Sequence, residues 1–265
     1  MITAVIIAKN ESSSITNAII SLKHLTKDIV VLDDSSTDDT AKISQKNGAK
    51  VVSIKSGLNF SQKRNYILNK LKSEWVFYLD ADERISKPLA EEIINLISRK
   101  DSVSAYWVKR RNFILGKELK SKTWYPDSQP RLFKMTKFKG WTGHIHESAD
   151  FEGEKSVLNN EIFHFTHKSI FAMIEKTNNW SEIEAQNLYK INHPKINRLR
   201  LFKLFISQFF IKYINEQNYK NGTIGLIESF MQTYSTMITY FKLWELQQDP
   251  TIEEQYKILD QELQK

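Results

Sequence analysis

The chain has 265 residues, of which 41% are hydrophobic and 12% aromatic, so a packed core is expected and global disorder is excluded. It contains no cysteine, which excludes disulfide bonds, thiol catalysis and cysteine-based zinc sites. A net charge of +7 suits nucleic acid, anionic lipid or an anionic small substrate, and charge alone does not choose among them. The apolar start is interrupted at Lys9, too soon for a signal peptide or a membrane span, so a cytoplasmic location is expected.

The first hundred residues alternate between strand and helix patterns. Continuous apolar runs predict buried parallel strands at 2–8, 29–32, 51–54 and 75–79. The stretches between and after them predict helices at 15–22, 37–47, 60–71 and 88–99. Repeated β-α-β units predict a doubly wound α/β sheet, in which ligands bind beyond the carboxyl ends of the strands.

The rest of the chain has a different pattern. Short β-like runs between residues 104 and 165 predict an irregular half that extends the sheet and shapes the pocket of a second substrate. Beyond Lys168 the chain is predicted to be helical. We therefore expect a catalytic domain at 1–167, with a ligand-binding half at 1–100 and a second-substrate half at 101–167, followed by a helical segment at 168–265.

Two aspartates follow the fourth predicted strand. Asp80 and Asp82 are separated by one residue, so both carboxylates can converge on one cation as the chain leaves the strand. Mg²⁺ and Mn²⁺ prefer such oxygen ligands, with diphosphate oxygens completing the shell. The alternative is a solvated turn or a helix start, and the strand-end position favours the metal site.

Polar residues also follow the first three strands. Asn10, Glu11 and Asp33 could accept hydrogen bonds from ribose hydroxyls and a base N–H, although helix capping is the favoured explanation when these residues are taken alone. Arg64, on the third predicted helix, could meet a phosphate or a base, or could belong to a solvated basic face.

Three blocks resemble the family-2 glycosyltransferases with a GT-A fold: VIIAKNE at 5–11, VVLDDSSTD at 30–38 and LDADE at 79–83. Later blocks resemble bacterial lipopolysaccharide-core β-glucosyl- and heptosyl-type transferases: RRNFILG at 110–116, WYPD at 124–127, RLF at 131–133, HE at 146–147 and LWEL at 243–246. The resemblance covers nearly the whole chain. It implies a GT-A, Rossmann-like sheet with helices on both faces, plus a helical C-terminal extension.

The resemblance also implies the function and the roles of residues. It implies an enzyme that transfers a sugar from a nucleotide-diphosphate sugar, UDP being favoured, to a glycan or lipid-linked saccharide in cell-envelope biosynthesis. Asn10, Glu11 and Asp33 then stand where the family holds the base and ribose, and Arg64 near the base and phosphates. Asp80 and Asp82 match the motif that holds the diphosphate through Mg²⁺ or Mn²⁺. A single histidine, His164, is expected to assist the metal or the diphosphate.

Inversion at the anomeric carbon requires a general base opposite the leaving diphosphate. Two carboxylates are candidates. Glu147 follows a glycine-rich turn at about the place where the family presents its acceptor-side acid, and it is favoured over Asp127. Asp127 follows an aromatic pair and a proline, a context that also suits a sugar-stacking platform with a structural carboxylate.

The helical segment has two interpretations. Residues 199–246 are rich in aromatic and apolar side chains interspersed with lysine. Such helices would either pack on the catalytic domain or a second subunit, or contact the inner face of the cytoplasmic membrane through apolar and basic groups.

Two other functions are possible for a chain of this composition, but the sequence favours transfer of a sugar. A sugar nucleotidyltransferase also uses paired aspartates, but usually carries a glycine-rich phosphate loop after its first strand, which residues 9–12 do not provide. A non-enzymatic basic protein has only the net charge in its favour, and no nucleic-acid-binding motif is present.

Overall fold

The computed structural model describes residues 1–54, 57–99, 102–143 and 148–264. The chain forms two compact units. The first comprises Met1–Phe113 and Pro126–Thr166, and the second Ile114–Tyr125 and His167–Lys265. The domain boundary expected after residue 167 stays a prediction, and residues 114–125 belong to the helical unit.

The strands are β1 Ile2–Ala8, β2 Ile29–Asp33, β3 Lys50–Ser53, β4 Trp75–Asp80, β5 Glu83–Ile85, β6 Val103–Ile114, β7 Lys117–Glu118, β8 Asp127–Lys134, β9 Phe138–Thr142, β10 Ser148–Phe151, β11 Glu154–Val157 and β12 Ile162–Phe165. The α-helices are α1 Ile15–Leu22, α2 Thr40–Lys46, α3 Phe60–Leu68, α4 Lys87–Ile97, α5 Ile170–Lys190, α6 Arg198–Phe210, α7 Gly222–Leu246 and α8 Ile252–Leu263. A π-helical turn, Ile211–Asn215, and a 3₁₀ turn, Asn218–Asn221, connect α6 to α7.

The main sheet has the order β3-β2-β1-β4-β8-β6-β12-β5. The strands β3, β2, β1 and β4 are parallel, which confirms the doubly wound α/β half predicted from the apolar runs. Antiparallel β8 lies between β4 and β6, and β12 runs parallel to β6. The second half of the unit therefore extends the same sheet, as expected.

The buried strands supply side chains to two cores, one on each face of the sheet. Ala4 and Ile6 of β1 pack in the first core, whereas Val5 packs in the second. In β4 the same alternation places Phe77 in the first core and Tyr78 in the second. Successive side chains of a strand point to opposite faces, so a sheet covered on both faces requires the unbroken apolar runs seen in the sequence.

Three helix ends differ from expectation by two or more residues, among them the end of α4, which lies at Ile97 and not at residue 99. Helix α2 begins at Thr40 instead of Thr37, because Thr37 donates its N–H to Asn10 Oδ1 (2.8 Å) and Asp38 Oδ2 accepts from Ser12 N–H (3.0 Å). These bonds join the segments that follow β1 and β2, and they keep both residues out of the helix. Helix α3 ends at Leu68, three residues before the predicted end.

The second unit is built from α5, α6, α7 and α8. Helices α5 and α7 pack along each other, and α6 packs on α7. Its small buried core contains Ala185, Ile196 and Leu243. No helix among the described residues combines the length and the apolar character needed to cross a bilayer.

One close approach in this unit is testable. Gly225 of α7 lies against the 3₁₀ turn, and a Cβ at this position would overlap the carbonyl oxygen of Asn218. Because the obstacle is backbone, Gly225→Ala is expected to destabilise the protein by at least about 1–3 kcal/mol. Thermal unfolding measures the effect, with Thr223→Ala on the exposed first turn of the same helix as the control. Equal melting temperatures for the two variants would contradict the packing described here.

Candidate active site

The parallel strands bring the predicted polar clusters to one edge of the sheet. Asp33 pairs in register with Ala8, and Asp80 with Ile7, so both carboxylates flank the end of β1. Asn112 of β6 pairs in register with His164 of β12, and Asp127 of antiparallel β8 pairs with Arg110, two residues before Asn112. The sequence-predicted residues of the described chain thus converge on the carboxyl ends of the strands.

A buried guanidinium joins two of the carboxylates. Arg131 of β8 donates from Nη2 to Asp80 Oδ2 (2.6 Å) and to Glu83 Oε1 (2.5 Å). Glu83 is fully buried, accepts the Asp80 N–H at 3.0 Å and lies 3.3 Å from Arg110 Nη1. Burial opposes ionisation of Asp80, yet the charges of Arg131, Arg64 and Arg110 hold its pKa well below the ordinary value. Burial raises the pKa of Glu83, with Arg131 opposing the shift.

Arg64 is held in place by aromatic rings. Its guanidinium lies 4.4 Å from the Trp141 ring centre and 5.3 Å from that of Tyr78, and its Nη2 is 3.9 Å from Asp80 Oδ1. The side chain of Asn65 fixes Trp141, since it donates to the Trp141 carbonyl and accepts its N–H, both at 2.8 Å. Arg64 therefore presents a positive charge beside Asp80 in a defined orientation.

Asp82 contacts other residues than Asp80 does and begins a chain of hydrogen bonds. Its Oδ2 lies 3.2 Å from His164 Nε2, and His164 Nδ1 lies 2.6 Å from Asn112 Oδ1. Asn112 Nδ2 donates to Asp127 Oδ2 at 3.2 Å. Because the ionised carboxylate of Asp127 only accepts, the Asn112 amide oxygen must face His164, and His164 must donate from Nδ1.

This tautomer places the Nε2 lone pair of a neutral imidazole toward the carboxylate of Asp82. Two electron-rich atoms face each other favourably only when a positive charge lies between them, either a proton on Nε2 or a cation. No three His, Cys, Asp or Glu side chains of the described residues converge to enclose a metal ion by themselves. A cation at this place would need further ligands from a substrate.

Asp127, one of the two predicted bases, is engaged on several sides. Its carboxylate accepts from Arg110 Nη2 (2.7 Å), from Asn112 and from Gln129 Nε2 (2.8 Å). Burial opposes its ionisation, but the Arg110 charge and these hydrogen bonds lower its pKa. The other candidate, Glu147, lies outside the described residues.

The residues predicted to hold the nucleotide line the ends of β1 and β2. Asn10 adopts a left-handed backbone conformation (φ 55°) and uses Oδ1 to accept from Thr37, and Glu11 donates its N–H to Thr40 Oγ1 (2.7 Å). Asp33 is buried, and among the described residues its Oδ1 has no hydrogen-bond partner. Its neighbour Asp34 instead forms a 2.6 Å ion pair with Lys63 of α3.

Sequence reasoning missed four residues that organise this edge. Glu83 was counted with a polar turn but opens β5, whose pairing with β12 buries it. Arg110, Asn112 and Arg131 lie in blocks that carry the family resemblance, but no role was assigned to them from the sequence. The signal that could have found Arg131 is a charged residue in the otherwise apolar run 131–133 of a strand, which requires a buried partner.

The architecture and the strand-end carboxylates define a GT-A glycosyltransferase. Residues 3–163 match the model of Glycosyl transferase family 2, and the chain belongs to this family. The chain is 31% identical to an uncharacterized glycosyltransferase of Rickettsia conorii, over 92% of this chain and 90% of the relative. It is 24% identical to the lipopolysaccharide core biosynthesis glycosyltransferase LpsC of Rhizobium meliloti, over 92% of each.

Among solved structures the chain is similar to residues 1–349 of TarS of S. aureus, crystallised with UDP-GlcNAc. The TM-score is 0.50 at 15% identity, covering 94% of this chain and 92% of the crystallised TarS chain. This likeness confirms the predicted GT-A fold with its helical extension.

The Arg131 network makes a prediction about stability. Arg131→Met leaves the buried Glu83 with Arg110 alone, and loss of one partner of a buried ion pair costs about 3–5 kcal/mol. When the pKa of a carboxylate is raised in the folded state, the free energy of unfolding of the protein falls as the pH rises through that pKa. Chemical denaturation should therefore show that Arg131→Met loses more stability relative to the wild type at pH 8 than at pH 5.

The double variant Glu83→Gln/Arg131→Met is the matched control. It removes both buried charges, so it should be more stable than Arg131→Met at pH 8 and should lack the added pH dependence. If both variants lose the same stability at both values of pH, the two side chains do not form the pair described.

Proposed function

We propose that the protein is an inverting glycosyltransferase that moves a sugar from a nucleotide-diphosphate sugar, UDP being favoured, to a hydroxyl of a glycan or lipid-linked saccharide. The proposal rests on one observation: two aspartates at the end of one strand have different partners. Asp80 lies against Arg131 and Arg64, whereas Asp82 lies against His164. One carboxylate is thereby held among fixed cations and the other contacts an imidazole, an arrangement suited to a diphosphate and a divalent cation.

The donor would lie across the ends of β1, β2 and β4. The buried Asp33 Oδ1, which lacks a partner among the described residues, is available to a ribose hydroxyl or a base N–H. Asn10 and Glu11 follow β1 beside it and complete this side of the pocket. Arg64 supplies a positive charge for the diphosphate, and Asp80 orients that charge.

The donor set at Asp82 and His164 fits Mg²⁺ or Mn²⁺. Adjacent ligands about 2.1 Å from an octahedral cation lie about 3 Å apart, and the Asp82 Oδ2 to His164 Nε2 distance is 3.2 Å. Diphosphate oxygens would supply the remaining ligands, with Asp80 in support. A cation bound here would neutralise the charge that develops on the departing nucleoside diphosphate. Asn112 positions His164 by accepting from its Nδ1.

Glu147 is proposed as the general base. In the transfer, the acceptor hydroxyl oxygen bonds to the anomeric carbon as the bond to the diphosphate oxygen breaks, and the hydroxyl proton passes to the base. Asp127 suits this role poorly because its carboxylate is occupied by Arg110, Asn112 and Gln129 and its pKa is lowered. We assign it instead to the hydrogen-bonded chain that orients His164.

The acceptor is proposed to belong to lipopolysaccharide-type cell-envelope biosynthesis. Support comes from LpsC, whose similarity to this chain extends over 92% of both proteins. Nucleotide sugars are made inside the cell, so the reaction is placed in the cytoplasm, at the inner face of the membrane when the acceptor is lipid-linked. The other proposed partners are the sugar nucleotide and the acceptor, with no nucleic acid.

The metal assignment is tested by binding of UDP, measured by calorimetry with and without Mn²⁺. We expect the wild type to bind UDP at least about tenfold tighter with Mn²⁺, and Asp82→Asn to lose that gain. Asn112→Leu removes the partner of His164 Nδ1 and should lower the affinity of the protein for Mn²⁺ by about 10–100-fold.

Asp39→Asn is the control, since Asp39 is an exposed aspartate before α2 whose side chain does not cap the helix. It should behave as the wild type. Cation-dependent UDP binding retained in Asp82→Asn would remove Asp82 from the site.

The choice of base is tested by the slow hydrolysis of the UDP-sugar that proves to be the donor, without acceptor. Loss of a general base lowers kcat by about 10²–10⁴, so Glu147→Gln should lower kcat to this extent while KM for the donor stays unchanged. Asp127→Asn should act mainly on cation affinity, with a smaller effect on kcat at saturating Mn²⁺. The reverse pattern would assign the base to Asp127.

A further inference from the structure

Helix α6 presents an apolar face to solvent. Leu199, Phe202, Ile206 and Phe210 recur at three- and four-residue intervals, so they form one stripe along the helix. Their exposed fractions are 60%, 66%, 53% and 55%, respectively. We call these four side chains the exposed α6 face.

This face is not the packing side of the helix. The half-buried residues of α6 include Leu201, Leu204 and Gln208, which lie on the other side, and the helix has no fully buried residue. Beside the stripe, Phe205 lines an apolar cleft of about 530 Å³ together with side chains of α5 and α7. A contiguous exposed apolar surface of this kind marks a site of interaction.

The segment that carries the exposed α6 face is basic. Residues 185–215 contain six cationic side chains and no aspartate or glutamate: Lys190, Lys195, Arg198, Arg200, Lys203 and Lys212. Arg198 lies one turn from Phe202, and Lys203 one turn from Leu199, so both cations border the exposed α6 face. Within the described residues, neither of these two cations forms an ion pair with a carboxylate.

We propose that the exposed α6 face binds the surface of an anionic lipid membrane, with the helix lying in the plane of the interface. The apolar stripe would enter the boundary between headgroups and acyl chains, while Arg198 and Lys203 meet the anionic headgroups. The charge pattern favours this partner over a second copy of the chain. In a two-fold symmetric dimer each copy would bring its own cations to the contact without acidic residues of the same segment to meet them.

The test is flotation of the full chain with phosphatidylcholine vesicles, either pure or containing phosphatidylglycerol. The wild type should bind the anionic vesicles at least about tenfold more tightly than the neutral ones. Phe202→Gln/Ile206→Gln should lower binding to the anionic vesicles by about tenfold or more, because it removes apolar surface from the stripe. Arg198→Glu/Lys203→Glu should lower it by about 20-fold or more, and added salt should weaken the wild type.

Leu259→Gln/Leu263→Gln is the matched control. Both leucines are exposed on α8, a helix that carries four acidic residues and one lysine, and their replacement should leave vesicle binding unchanged. Thermal unfolding checks that each variant folds. The measurement uses binding alone, so its result does not depend on the proposed transfer reaction.

Three results would overturn the inference. The first is equal binding of the wild type to neutral and anionic vesicles, and the second is unchanged binding in Phe202→Gln/Ile206→Gln. The third is a wild-type dimer in light scattering that does not bind vesicles and that Phe202→Gln/Ile206→Gln converts to a monomer.

Discussion

The ion pairs of Arg131 with Asp80 and Glu83 are the interaction on which the candidate site depends. Glu83 is completely buried three residues after Asp80, and two carboxylates so close in a low-dielectric interior repel each other strongly. The guanidinium contributes one positive charge to both and keeps Asp80 ionised. Asp82, between β4 and β5, contacts His164 instead. One short motif thereby serves two different purposes.

The parallel half of the fold could be predicted from the sequence because buried strands of this class are uninterrupted apolar runs. The ends of β1 and β2 were predicted to within one residue, and β4 extends one residue further, to Asp80. The second half could not be predicted in the same way. Arg131 reaches Asp80 only because β8 inserts antiparallel between β4 and β6, and no periodicity in a single sequence reveals which distant strands become neighbours.

The helical unit shows a different limit of sequence patterns. The sequence identified residues 199–246 as rich in apolar and aromatic side chains, but such a composition describes both a helix that faces a core and one that faces outward. The structure distinguishes them, since Phe202 is largely exposed while Leu243 of α7 is fully buried. Burial depends on which elements come to lie alongside, and this information is spread over the whole chain.

The position of Arg131 on β8 has a consequence for the way the chain is made. Asp80 and Glu83 precede their shared cation by 51 and 48 residues, so a nascent chain that has emerged only through α4 contains both acids without it. The first four strands and their helices then carry Asp80 with Arg64 beside it, but without the guanidinium that bonds both carboxylates. The paired contacts of Asp80 and Glu83 with Arg131 can therefore form only after β8 has been made.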